Sequence, residues 1–144
     1  GWHLGEHAIW GKHALFEESL RSPLIVVAPE VEKPGDISPS VVETIDLFPT
    51  LCDLSGLAKP DYLDGASLLP QLKAPFAESK GYAISYHGNG STIRTATHRL
   101  IAHKKGHLEL YSHLSAEGET KNLAETEKET AQALLEKLRA KNTK

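Results

Sequence analysis

The first thirteen residues, Gly1-Trp-His-Leu-Gly-Glu-His-Ala-Ile-Trp-Gly-Lys-His13, concentrate chemistry-bearing side chains: three histidines, a carboxylate, an ammonium and two indoles among three glycines. Glycines let a backbone turn tightly or approach a ligand closely, and indoles can wall a pocket into which polar groups face. Within this stretch His3-Leu-Gly-Glu-His7 matches H-x-x-E-H, the zinc signature of one class of peptidase. That chemistry needs both imidazoles on one face of a regular helix with the glutamate beside the metal-bound water. Gly5 between them disfavours such a helix, so the zinc-peptidase reading ranks lowest.

Further along, His87-Gly-Asn-Gly-Ser91 is a polar turn between two strand-like runs, and Asn89-Gly-Ser91 within it is a glycosylation sequon, meaningful in a eukaryotic secretory protein. His103-Lys-Lys-Gly-His107 has metal-like spacing but reads as a solvated turn. The single cysteine, Cys52, sits on an amphipathic pattern and reads as a small buried hydrophobe.

The elements that must position these groups follow from period and punctuation. Glycines make residues 1–13 a loop, and Ala14–Leu20 can form a short helix. Leu24-Ile-Val-Val-Ala28 is a continuous apolar run, as in a strand buried on both faces of a sheet. Val41–Ile45 is β-branched and reads as extended. Pro49 fits only a first helical turn, so a helix starts near Asp46, whose carboxylate caps it, and ends at Gly56. Beyond Pro75 come four strand candidates, 82–86, 91–96, 99–103 and 108–111, joined by short turns as an antiparallel meander. Glu127–Lys141 is a helix with Thr126 and Glu129 as a capping box. Its stripe of Ala131, Leu134, Leu135 and Leu138 is expected to cover one face of the meander.

Several of these segments also carry a resemblance. Gly1–His7, Trp10-Gly-Lys-His13, Phe16–Ile25, Asp46–Leu51, Leu63–Leu68, Ile93-Arg-Thr95, Glu109-Leu-Tyr111 and Asn122-Leu-Ala124 together resemble, in order, the type I, formylglycine-dependent sulfatases of the alkaline phosphatase superfamily. Among these the iduronate-2-sulfatase and choline-sulfatase branch is the nearest match. The resemblance implies a hydrolase that splits a sulfate ester into an alcohol and inorganic sulfate, of which this chain is the C-terminal portion. In that family an Asp-His pair directly precedes the Gly-Trp, and the chain contains no methionine, so residue 1 is not expected to be a translation start.

The implied fold is an α/β fragment. Residues 1–75 would give the last strand and helix of a large α/β domain, and residues 76–144 a small antiparallel four-stranded sheet with a C-terminal helix. The implied nucleophile is a cysteine-derived formylglycine in a C-x-P-S-R or C-x-A-S-R setting. Cys52-Asp-Leu-Ser-Gly56 departs from that pattern, so the nucleophile and the calcium ligands are expected in the missing N-terminal part of the same enzyme, with no cofactor on this chain.

Lys12 is the expected catalytic residue, because its family counterpart contacts the sulfate group, where charge builds during cleavage and a fixed ammonium stabilises it. Trp2 would flank the pocket mouth. His87 and Asn89 would lie on the loop that shapes substrate choice. Glu6 and His7 would support from behind. The expected partner is a small sulfate ester or sugar sulfate, and the compartments implied by the resemblance are periplasmic, secreted or lysosomal. A chain that is 40% hydrophobic and 24% charged has the composition of a soluble globular protein, and a net charge of −3 gives no reason to expect nucleic acid or an anionic membrane. No apolar run approaches the roughly 20 residues that span a bilayer. The alternative of a different class is a non-catalytic accessory module.

Overall fold

The computed structural model describes residues 1–29 and 35–141. It divides into two compact units, one built from Gly1–Pro23 and Ile84–Lys144, the other from Leu24–Ala83.

The first unit is built on four antiparallel strands in sequence order: β3 (Tyr82–His87), β4 (Gly90–Thr95), β5 (His98–His103) and β6 (Leu108–Ser112). They lie where the alternating sequence placed them. Gly88 takes a positive φ of 55° in the first turn and Gly106 one of 84° in the last, conformations that side chains resist. The register sets Ile93 across from Leu100 and Leu100 across from Leu110. Because successive side chains alternate, these three share one face. The other face carries Thr92, Arg94, Arg99, Ile101, Glu109 and Tyr111.

Helix α4 (Lys128–Lys141) packs on β4 and β5, and its buried stripe of Ala131, Leu135 and Leu138 covers the Ile93–Leu100–Leu110 face. Leu134, also expected in the stripe, is only half buried. The Thr126 hydroxyl donates to the Leu123 carbonyl, as part of the turn that leads into the helix. Leu138→Ala should destabilise this unit by about 2–5 kcal/mol, since a core leucine is lost from a site with little room to collapse. Chemical denaturation followed by tryptophan-independent far-UV dichroism checks this. A cost below ~1 kcal/mol would mean the helix is not a structural cover.

The opposite face is covered by a segment that the sequence did not assign to it. Leu15 packs with Ile101 and Tyr111, and Phe16 and Leu20 add to the cluster. Phe16 precedes the short helix α1 (Glu17–Leu20), so one turn of helix closes the second side of the sheet. The edge strand β6 is blunted by Asn122. Its Oδ1 accepts from Leu110 N at 3.0 Å, and its Nδ2 donates to Leu108 O at 3.1 Å.

The second unit holds α2 (Leu47–Leu54) and α3 (Leu69–Lys73). Asp46 is buried, but its role differs from the expected cap of α2, as it lies in a 3-10 turn, Thr44–Asp46, with helical φ and ψ. Its carboxylate instead gathers three donors: Glu43 N at 2.8 Å, Ala66 N at 2.9 Å and Lys80 Nζ at 2.7 Å. Gly65 is required here, because a Cβ would fall 2.1 Å from the Ile45 carbonyl oxygen. Residues 41–43 lead into this turn without pairing as a strand.

The Leu24–Ala28 run forms no strand, and Val27 is 94% exposed. A strand needs a neighbour's N–H and C=O groups, and none of the described residues presents them to this run.

Candidate functional site

The glycine-rich start folds into a miniature hairpin. Strand β1 (His3–Leu4) pairs antiparallel with β2 (Trp10–Gly11), with His3 opposite Gly11 and Leu4 opposite Trp10. Between them Glu6–Ala8 makes a 3-10 turn in which His7 and Ala8 take positive φ values of 55° and 58°. The two histidines of the H-x-x-E-H match therefore do not share a regular helix, which removes the geometry a zinc peptidase needs.

Alternation splits the hairpin into two faces. His3 points inward, fully buried, with Nε2 2.9 Å from the Ser19 hydroxyl of α1. His7 lies flat on Phe16, centroids 3.8 Å apart, and its Nε2 is 3.6 Å from the Glu18 carboxylate. Glu6 folds back to accept from Leu4 N at 2.6 Å, and that backbone bond holds its carboxyl below the usual range. His3 and His7 thus fasten the hairpin to α1, while Glu6 closes the hairpin's own turn.

The opposite face carries Trp2, 58% exposed, together with exposed Leu4, Trp10 and Lys12. Trp10 is 76% exposed. No hydrogen bond or ion pair engages Lys12 among the described residues. Immediately after it, the His13 ring stacks on His87 at the end of β3, centroids 5.5 Å apart and planes 23° apart. The fold thus brings the Lys12 loop to the His87 loop through the His13–His87 stack. Asn89 is exposed in the same turn, where its carbonyl accepts from Lys104 N at 2.8 Å.

Beneath the hairpin lies an ionic core. Arg99, 2% exposed, donates from Nε to Glu119 Oε1 and from Nη2 to Glu17 Oε2, each at 2.5 Å. Arg94 Nε reaches Glu17 Oε2 at 3.3 Å. Glu119 Oε1 also meets His113 Nε2 at 2.9 Å, and its Oε2 accepts from the Glu17 backbone N–H at 2.7 Å. Glu17, His113 and Glu119 bring ligand atoms within 4.8 Å of one another, as do His7, Glu18 and Glu119. Metal binding does not follow from that spacing. Both oxygens of Glu119 are already engaged, and two guanidinium charges balance Glu17 and Glu119.

The family described as N-sulphoglucosamine sulphohydrolase, C-terminal, matches residues 5–144. The chain belongs to that family. Among its relatives, a sulfatase from Formosa agariphila is 32% identical over 97% of this chain, covering 29% of the relative. Arylsulfatase K from Bos taurus is 30% identical over 94% of it, covering 28% of the relative. The chain therefore spans less than a third of the length of these relatives. A structure described as a complex with its substrate, D-glucosamine-2-N,6-O-disulfate, superposes with a TM-score of 0.85 at 28% identity, covering 98% of this chain and 32% of that one. A phosphonate monoester hydrolase from Silicibacter pomeroyi superposes with a TM-score of 0.77 at 26% identity, covering 94% of this chain and 31% of that one. The four-stranded sheet with its C-terminal helix is thus the C-terminal subdomain fold of the sulfatases.

In this subdomain the ionic core gives a pH signature. Burial pushes His113 below the ordinary histidine value of 6.5 and Arg94 adds to it, while Glu119 and Glu17 oppose them. Burial also works against ionising Glu17, but the hydrogen bonds and charges of Arg94 and Arg99 outweigh it and hold the carboxyl below the usual range. At both groups the folded state binds fewer protons than the unfolded state, so acidification weakens the fold. His113 contributes as pH falls below about 6.5, and Glu17 below about 4.3. The thermal midpoint should therefore fall from about pH 7 towards pH 5, and His113→Asn should flatten that upper part of the decline. Identical profiles for the two proteins, measured calorimetrically, would remove His113 from the account.

From sequence, no part in an ionic core was legible for Glu17, Arg94, Arg99, His113 and Glu119. One signal was available: the hairpin register puts Arg94 opposite Arg99, and two like charges facing each other on a covered sheet demand carboxylates from elsewhere.

Proposed function

We propose that this chain is the C-terminal part of an enzyme that hydrolyses a sulfate ester to an alcohol and inorganic sulfate, and that Lys12 is its contribution to the reacting centre. The observation that supports this most is the geometry of Lys12, held on the exposed face of an anchored hairpin and unengaged by any described residue, in a chain of this family. A sulfate monoester carries one negative charge, and more negative charge develops on its oxygens and leaving group as the S–O bond breaks. A fixed ammonium aimed there lowers the barrier without reorganising at the moment of reaction.

Trp2 flanks the same face, with His87 and Asn89 at its far edge. In the intact enzyme residues 1–75 would close the α/β catalytic domain, with Gly1–Pro23 lying against the small subdomain formed by 76–144. The formylglycine nucleophile and the calcium ion belong, on the resemblance, to the upstream part. This chain's own residues supply a charge and a wall. Assignment to the iduronate-2-sulfatase and choline-sulfatase branch rests on motif residues alone. A sugar sulfate is the best-supported substrate class, given the amino-sugar disulfate bound by the structural neighbour.

A second reading has its own support in the phosphonate monoester hydrolase that shares the fold. Sulfate monoesters and phosphonate monoesters are both singly charged tetrahedral groups, so Lys12 alone does not separate them. The intact enzyme should turn over an aryl sulfate with kcat/KM at least about tenfold above the matched aryl phosphonate, ~1.4 kcal/mol in transition-state binding. The reverse preference would replace the sulfatase reading with the second one.

A further inference from the structure

Lys12 sits on a loop, and a loop lysine is useful to a reaction only if its position is fixed. Five residues on, the chain enters α1 at Glu17, and this point is tied down through both its side chain and its backbone. The Glu17 carboxylate is held by Arg99 Nη2 at 2.5 Å and Arg94 Nε at 3.3 Å, while its backbone N–H is held by Glu119 Oε2 at 2.7 Å. Arg99 grips both carboxylates at once, with Nη1 3.4 Å from the Thr92 hydroxyl of β4. Two strands, a 3-10 turn at Gly118–Thr120 and the start of α1 thus meet at one charge-balanced knot.

Between Lys12 and Glu17, Leu15 enters the core on Ile101 and Tyr111, and Phe16 packs against the same cluster. On the far side the hairpin returns to α1 through His3 and Ser19. The Lys12 loop is therefore suspended between β2 and the knot. Leu15, Phe16 and Leu20 already give this face an apolar cover on Ile101 and Tyr111, and burying two carboxylates and two guanidinium groups adds little net stability over an apolar contact of the same shape. What such a knot gives that an apolar contact does not is a fixed direction, because planar guanidinium groups hold carboxylates in a set geometry.

We infer that Glu17, held by Arg94, Arg99 and Glu119, is a positioning residue that sets the Lys12 ammonium against the sulfate group. The inference rests on the sulfate-facing role of Lys12 proposed above.

A double-mutant cycle in the intact enzyme tests it, with a chromogenic aryl sulfate as substrate and all variants assayed well below their melting temperatures. Glu17→Gln keeps the size of the side chain and removes its charge. It should lower kcat by about tenfold with KM within about twofold, since small displacements of a reacting group are costly in rate. In a Lys12→Ala background the same change should lower kcat less than about twofold, because there is no ammonium left to misplace. Arg94→Gln, which loosens Glu17 from the more exposed side, should repeat the pattern and serves if Glu17→Gln folds poorly. Equal fold-changes in both backgrounds would overturn the positioning role and leave the role of Lys12 standing. If Lys12→Ala by itself left kcat/KM near the parent value, the sulfate-facing role would fall and the positioning role with it.

Discussion

Lys12→Ala in the intact enzyme is expected to lower kcat/KM by about 10²- to 10³-fold, roughly 3 to 4 kcal/mol, the usual effect of deleting one preorganised electrostatic donor. The same change should leave stability within about 0.5 kcal/mol, since the side chain is exposed and contributes nothing to the core. That split between rate and stability separates a working lysine from a structural one. Lys12→Arg should recover only part of the activity, because a planar guanidinium places its charge differently from a compact ammonium. Lys105→Ala, on the exposed turn between β5 and β6, is the matched control and should change little. Steady-state kinetics on the three variants suffice. A Lys12→Ala enzyme within about threefold of the parent, under ~0.7 kcal/mol, would return Lys12 to an ordinary exposed loop lysine.

Arg99→Ala is expected to have the largest effect on stability, about 3–5 kcal/mol, because it strands two carboxylates in a covered site. The side chain is almost wholly buried and bonds both Glu17 and Glu119, so its removal leaves their charges facing each other with only Arg94 and His113 to compensate. Removing a partner at the same time should recover part of the loss, so Arg99→Met with Glu119→Gln should be more stable than Arg99→Met alone. Denaturant unfolding of the intact enzyme, following the transition of this subdomain, measures both. A cost for Arg99→Ala below about 1 kcal/mol would mean that water reaches the site and that the ionic core is in effect a surface cluster.

The four strands and the last helix were legible because each carries its own local signal. Strands 82–86 to 108–111 alternate, and the first and last of the turns between them hold a glycine at positive φ. The face of α4 could be named from Ala131, Leu135 and Leu138 alone. The second cover of the sheet was not legible, because a one-turn helix at Glu17–Leu20 has no period long enough to show where its apolar residues point. The Leu24–Ala28 run shows the limit in the other direction. Its composition is that of a buried strand, yet pairing depends on neighbours that a local reading does not supply.

At the candidate site the sequence singled out a stretch but not the division of labour within it. His3, Glu6 and His7 look reactive by type and spacing, and the fold uses His3 and His7 to fasten the hairpin to α1 and Glu6 to close the hairpin's turn. Asp46, read as a helix cap, turns out to knot Glu43, Ala66 and Lys80 together. The same holds for Glu17, Arg94 and Asn122, which carry the family resemblance while holding elements in place. Lys12 and Trp2 differ from all of these in being turned outward.

The most direct test of the sulfate-facing role is the position of the Lys12 ammonium in a crystal structure of the intact enzyme with a sulfated amino sugar bound, using a catalytically silenced nucleophile. The account predicts Lys12 Nζ within hydrogen-bonding distance, about 3 Å, of an oxygen of the sulfate group at the cleavage position. A Nζ more than about 6 Å from every sulfate oxygen, with another cation in its place, would contradict it.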